Sequence, residues 1–213
     1  MSDFHAAHAD VIGPRVAAAL ARNNFTAEYV KSRQEAVDRI ISLIPADATV
    51  GAGGSWTVGE LGLLGMLEAR GNQILNHGKP GTSAEEALEI RRRQLTADVF
   101  LTGTNAITLD GKLVNVDGSG NRVAAMIFGP KKVIVVAGVN KIVRDAAAAD
   151  ERIKLLAAPM NNIRLKRDNP CVKTGVCADC ASPARICNVT TVISKKPTLS
   201  DIHIFLIGEE LGF

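Results

Sequence analysis

Three segments of this chain, "DVFLTGT" (98–104), "KKVIVVAGVNK" (131–141) and "IHIFLIGEELGF" (202–213), restrict the fold more than anything else in it. Each is an apolar run of strand length, without the regular polar position of a strand that keeps one face in water. Strands of this kind must be covered on both sides. The covering material is present, because helical patterns alternate with the strands through most of the chain. That order predicts an α/β fold: a mostly parallel sheet flanked by helices.

The remaining elements fill in this frame. Residues 4–22 and 25–43 read as two helices, the second with Thr26 as N-cap and Tyr29, Val30, Val37, Ile40, Ile41 and Leu43 as its apolar stripe. "DATVGAGGSWTVGELGLLGMLEARG" reads as strand, Gly-rich turn and helix, and "NQILN" as a short strand. A helix follows, with Thr82 or Ser83 as cap and acidic residues in its first turn. Asp110-Gly111 between the arms of "AITLDGKLVNVDG" is a β-hairpin signal, so a hairpin insertion is expected. "NRVAAMIFG" makes a short helix, and 143–167 is helical with a possible break at Pro159. Residues 1–23 are read as an N-terminal helical appendage and 24–213 as the α/β domain.

Composition narrows the function classes. Lys and Arg number 25 against 22 Asp and Glu, a net charge of +3, and aromatics make up 4%. Such a scattered basic excess with so few aromatics argues against nucleic-acid binding. Two small clusters, Arg91-Arg92-Arg93 and Arg164 with Lys166 and Arg167, suit an anionic ligand or, more simply, a solvated helix face. The start of the chain is not patterned as a signal peptide, and no apolar run is long enough for a membrane span, so a cytoplasmic protein is expected.

Three stretches carry candidate chemistry. In "GAGGSWT", Gly51, Gly53 and Gly54 let backbone approach a ligand at the start of a helix, and Ser55 and Thr57 offer hydroxyls. The stretch is neither a Walker A sequence nor a complete dinucleotide fingerprint; a tight turn is the alternative, but a Gly-rich strand-to-helix turn at a sheet's carboxyl edge is the usual ligand site in such folds. In "TGTNAITLDGKLVNVDGSGNR", Thr104 and Asn105 sit where a strand edge would meet that first loop. Gly118, Gly120, Asn121 and Arg122 are the second half of the same candidate ligand site. There Asn121 suits a helix cap and Arg122 a bidentate clamp on carboxylate or phosphate. Asp117 suits a general base, a hydroxyl-binding group or a plain turn carboxylate. No nucleophile signature is present, and His5, His8, His77 and His203 are scattered.

The third stretch, "PCVKTGVCADCASPARIC", holds all four cysteines: Cys171, Cys177, Cys180 and Cys187. A pair spaced C-x-x-C with two more thiols nearby suits tetrahedral zinc or a [4Fe–4S] cluster. Free thiols, a disulfide or a redox pair are the alternatives. A reducing compartment and a chain long enough to bury its own core disfavour the disulfide.

The stretch from Leu101 to Val143, with "GAGGSWT" upstream and "PCVKTGVC" downstream, resembles the LUD-domain family, the lactate-utilisation proteins also called DUF162, and the four-cysteine tail places it in a cysteine-tailed branch. The resemblance covers about residues 24–213. It implies the fold shared by ribose-5-phosphate isomerase, glucosamine-6-phosphate deaminase and CoA transferases, and a bacterial role in lactate utilisation beside iron–sulfur oxidoreductase partners. Three functional readings follow: a binder of a small anionic metabolite in organic-acid utilisation, an isomerase or transferase acting on a sugar phosphate or CoA ester, and a non-enzymatic metal-bearing accessory subunit. Assembly as a homo-oligomer is compatible with each.

Overall fold

The computed structural model describes residues 3–213. Its strands are β1 (Thr26–Val30), β2 (Thr49–Ala52), β3 (Gln73–Leu75), β4 (Val99–Gly103), β5 (Ala106–Thr108), β6 (Leu113–Asp117), β7 (Lys132–Gly138), β8 (Ile142–Val143), β9 (Val189–Ile193) and β10 (Ile202–Ile207). Its helices are α1 (Asp3–Arg22), α2 (Arg33–Leu43), α3 (Trp56–Glu60), α4 (Leu63–Ala69), α5 (Ala84–Gln94), α6 (Asn121–Ile127), α7 (Ala146–Arg152), α8 (Ala158–Arg164) and α9 (Pro170–Thr174). Among the described residues, no helix is long and apolar enough to cross a membrane.

Six strands form the main sheet in the order β1-β10-β7-β4-β2-β3, and every pairing is parallel. The three apolar runs are its interior strands β4, β7 and β10, and successive side chains divide between two cores. Leu101, Ile134, Val136, Phe205 and Ile207 face α2, α3 and α4 through Ile40, Val58, Leu63 and Leu67. Phe100, Val133, Val135, Ile204 and Leu206 face the other way, onto Val16 and Leu20 of α1 and Ala125 and Met126 of α6. Both faces are dry, which is why no polar alternation is visible in the runs.

The expected hairpin is β5–β6, with Gly111 at φ +83° in the turn. It belongs to a second, four-stranded sheet of order β8-β5-β6-β9. That sheet shares one core with α1 through Ile107, Leu113 and Ile193, and a smaller one with the α7–α8 region through Ala106, Val114, Ala149 and Ile153. The hairpin turn is docked on the end of α1: Asn23 Nδ2 donates to the carbonyls of Asp110 and Gly111, each at 2.8 Å. A Cβ on Gly111 would fall 2.5 Å from the Ala19 backbone, so glycine is required there by contact as well as by φ.

Three local expectations are corrected. Residues 25–43 are not one helix: Thr26–Val30 is an edge strand paired with β10, and the helix starts at Arg33, capped by Ser32 Oγ accepting from the Glu35 amide. Pairing to β10 outweighs the weak helical stripe of Ala27–Val30, because a parallel edge satisfies backbone groups that a frayed first turn would leave open. The segment around Pro159 is not broken. Residues Ile153–Ala157 widen into a π turn that leads straight into α8, accommodating the missing proline N–H. Helix α6 is capped from outside rather than by Asn121, as described next.

Candidate functional site

Parallel sheets place ligands at their carboxyl edge, in the crevice where successive connections leave in opposite directions. Here the chain passes from β2 outward to β3, then returns across β2 to add β4 on the other side. The divergence therefore lies between β2 and β4. At that point the loops after β2, β4 and β7 surround a cavity of about 250 Å³.

Nine of the residues singled out from sequence line it: Gly54, Ser55, Thr57, Thr104, Asn105, Asp117, Gly118, Asn121 and Arg122. Gly51, Gly53 and Gly120 stand behind the wall. Gly51 is buried within β2 against Phe100 and Gln94, and Gly53 leaves room for the Arg122 stem, 3.2 Å from where its Cβ would be. Gly120, at φ +81°, is the N-cap position of α6. The two loops meet closely: a Cβ on Gly103 would lie 2.7 Å from Ser55 Oγ. Ser55 itself caps α3, accepting from the Val58 amide at 3.3 Å.

Arg122 joins the wall together. Its Nη1 donates to Asn115 Oδ1 at 2.6 Å and to the Gly103 carbonyl at 3.3 Å. Its Nη2 donates to the Val116 carbonyl at 2.9 Å and to Asn105 Oδ1 at 3.1 Å, and its Nε faces Asp117 Oδ1 at 3.5 Å. The end of β4, strand β6 and the start of α6 thus share one guanidinium, whose donors are turned to the protein. Burial pulls its pKa down, while Asp117 opposes that. The Asp117 carboxylate caps α6, with Oδ2 accepting from the amides of Arg122 (3.2 Å) and Val123 (3.3 Å). The side chain of Asn121 makes no cap.

Charge on the cavity is strongly one-sided. Arg91, Arg164 and Arg167 line it with Arg122 and Lys141, and Asp117 is the one acidic side chain among the described lining residues. Arg164 donates to the Gly54 carbonyl at 3.0 Å and lies over the Trp56 ring, 5.9 Å from its centroid. The side chains of Arg91 and Arg167 have no hydrogen bond or ion pair among the described residues, leaving their donors available to a ligand. The nearby His77 Nδ1 lies 3.1 Å from Gln94 Nε2, an amide nitrogen that donates to the Ala52 and Leu75 carbonyls, each at 2.8 Å. Burial, and then Arg91, hold this imidazole below its ordinary pKa.

Lys141 is the site residue that the sequence reading did not find. It sits in the 3₁₀ turn after β7, is 3% exposed, and donates from Nζ to Thr57 Oγ1 at 2.8 Å. Burial first, then Arg152 and Arg122, lower its pKa to about 7, with Glu60 opposing. Its signal in the sequence was slight, since a lysine in the turn after an apolar strand is ordinarily an exposed charge.

None of the four cysteines lines this cavity, but the four lie together. Cys171, Cys177, Cys180 and Cys187 all line one small cavity of about 20 Å³, with Asn162, Asn169 and Arg185. Cys171 is buried and the others are half-buried. Burial and the neighbouring thiols push Cys171 and Cys187 up, so both stay protonated at neutral pH. The Asp179 amide donates to Cys177 Sγ at 3.4 Å. Among the described residues, no three His, Cys, Asp or Glu side chains stand at metal-ligating geometry.

Comparison with known proteins agrees with this architecture. A family model described as the LUD domain matches residues 14–207. The curated proteins contain no match. Among solved structures, a DUF162 family protein from Deinococcus radiodurans superposes with a TM-score of 0.50 at 12% identity, covering 93% of this chain and 98% of that one. At such identity the likeness speaks to the fold alone.

Proposed function

The chain belongs to the LUD-domain family, and from that premise we propose that it binds a small anionic metabolite in the cavity between β2 and β4. Lactate utilisation is the role associated with the family as a whole, and an organic acid of that kind suits a cavity of about 250 Å³. One observation carries the reading: four arginines line the cavity beside Lys141, and Asp117 is the one acidic side chain among the described lining residues. Like charges repel, and a folded protein gathers them in one crevice at a cost that an anion offsets. Arg91 and Arg167 supply the open guanidiniums, each able to grip a carboxylate or phosphate with two donors.

Calorimetric titration with lactate, pyruvate and inorganic phosphate tests this. Arg91→Ala and Arg167→Ala are each expected to weaken the bound anion by about 10- to 100-fold, the worth of a charge-assisted hydrogen bond. Thermal stability should hardly move, since neither side chain is tied to the protein. Unchanged affinity in both variants would sink the reading.

A second reading rests on a different place. We propose that the four cysteines take a thiophilic metal, either zinc or an iron–sulfur cluster, which is supported by all four thiols lining one cavity. Binding would draw Cys177, Cys180 and Cys187 inward onto Cys171 and release their protons. Protein purified anaerobically should carry stoichiometric zinc, or iron with sulfide and a visible chromophore, and lose it in Cys177→Ser and Cys180→Ser. Four freely titratable thiols in metal-free protein would overturn it.

A further inference from the structure

We infer that Lys141 is a covalent catalytic residue, forming an imine with a carbonyl group carried by the anion bound beside it. The inference rests on the anion-binding reading and adds the substrate class: a small carboxylate or phosphate with an aldehyde or ketone carbon near the charge.

The geometry comes first. Lys141 lines the cavity, its Nζ 2.8 Å from Oγ1 of Thr57, another lining residue, yet it is 3% exposed. Buried ammonium groups are normally paired with a carboxylate. Among the described residues Lys141 has no such ion pair, and its one hydrogen-bond partner is the Thr57 hydroxyl. The charged groups packed around it are Arg122 from α6, Arg152 from α7 and Glu60 from α3. Glu60 is itself engaged elsewhere, by the Trp56 indole N–H at 2.9 Å and the Gly212 amide at 2.7 Å. Two cations and its own burial favour the neutral amine, the form with a lone pair to give.

The surroundings hold that amine in place. Thr57 is 1% exposed, and its Oγ1 accepts from Lys141, so the Nζ lone pair is left for a substrate. A Cβ on Gly212, at φ +62°, would lie 2.4 Å from Thr57 Oγ1 and 3.3 Å from Nζ, so backbone is pressed onto both groups from behind. An amine packed this closely loses little entropy on reaction.

The step balances without a further reagent. Nζ attacks the carbonyl carbon, the C–N bond forms, and the carbonyl electron pair moves to oxygen. Proton transfer from nitrogen to oxygen gives the carbinolamine. Loss of water, which carries off both amine hydrogens, leaves the C=N bond of the imine; the return of water releases ligand and lysine unchanged. His77 and Asp117, which line the same cavity, are the groups able to carry these protons.

The experiment is reductive trapping of the full-length protein. Pyruvate and ribose 5-phosphate are incubated separately with protein and sodium cyanoborohydride, and adducts are mapped by peptide mass spectrometry. One adduct per chain on Lys141, absent in Lys141→Met and with the trapping rate rising through about pH 7 to a plateau, is the expected result. Anion binding without a trapped adduct, or labelling spread evenly over surface lysines, would overturn the imine alone. Failure of the wild-type chain to bind or trap either compound would overturn it together with the reading beneath it.

Discussion

Arg122→Ala is expected to destabilise the protein by about 3–5 kcal/mol and to abolish anion binding, although Arg122 gives its donors to the protein. The size of the effect comes from what the substitution leaves behind. Asn115 Oδ1, Asn105 Oδ1 and the carbonyls of Gly103 and Val116 each lose a donor at 2.6–3.3 Å. Asp117 loses its cationic neighbour, and a carboxylate with 14% side-chain exposure is poorly solvated. Unsatisfied buried acceptors cost more than the bonds were worth when made. Arg122→Lys should recover little, since a single ammonium cannot span β4, β6 and the Asp117 cap as a planar fork does. Urea unfolding measures the loss. If Arg122→Ala unfolds within 1 kcal/mol of wild type, the guanidinium is not the tie described here.

The same residue shows how far sequence reading reaches. Arg122, Asp117, Asn105 and Thr104 stood out because a strand end followed by dense Asn, Asp and Gly has few structural uses. Their placement at one crevice followed from the parallel sheet. Which of them faces a ligand did not follow, because this depends on how β6 and α6 lie against β4. Arg91, Arg164 and Arg167 were visible as basic clusters, but they reach the cavity from α5 and from the end of α8, elements far apart in the chain. Helix periodicity cannot report such convergence.

Strand legibility followed burial in the same way. β4, β7 and β10 have dry surroundings on both faces and declared themselves as apolar runs. β1 and β9 are half-exposed edge strands whose identity depends on partners: β10 for one, β6 for the other. A five-residue segment with an exposed face carries too little pattern to separate strand from the first turns of a helix. The cysteines were conspicuous from the start, and the fold adds that all four open onto one cavity.

Lys141→Met is expected to stabilise the protein by roughly 2–4 kcal/mol at pH 7 while ending any chemistry that needs the amine. An unfolded lysine takes up its proton near 10.5, and the folded one near 7. Between those values the unfolded chain binds more protons than the native one, so wild-type stability rises with pH through that window. The penalty for burying Lys141 is full below about pH 7 and fades toward pH 10.5, each unit being worth about 1.4 kcal/mol. Methionine has a similar length and no charge, so it fills the site at 3% exposure without the penalty. The comparison to make is denaturant unfolding of both proteins at pH 7 and pH 9.5. The advantage of the variant should be large at pH 7 and shrink by more than half at pH 9.5. A variant less stable than wild type at pH 7, or an advantage independent of pH, would mean that Lys141 is an ordinary satisfied side chain. A stability cost kept at one residue, in the crevice that Arg91 and Arg167 line with open guanidiniums, is the signature of a group retained for its reactivity.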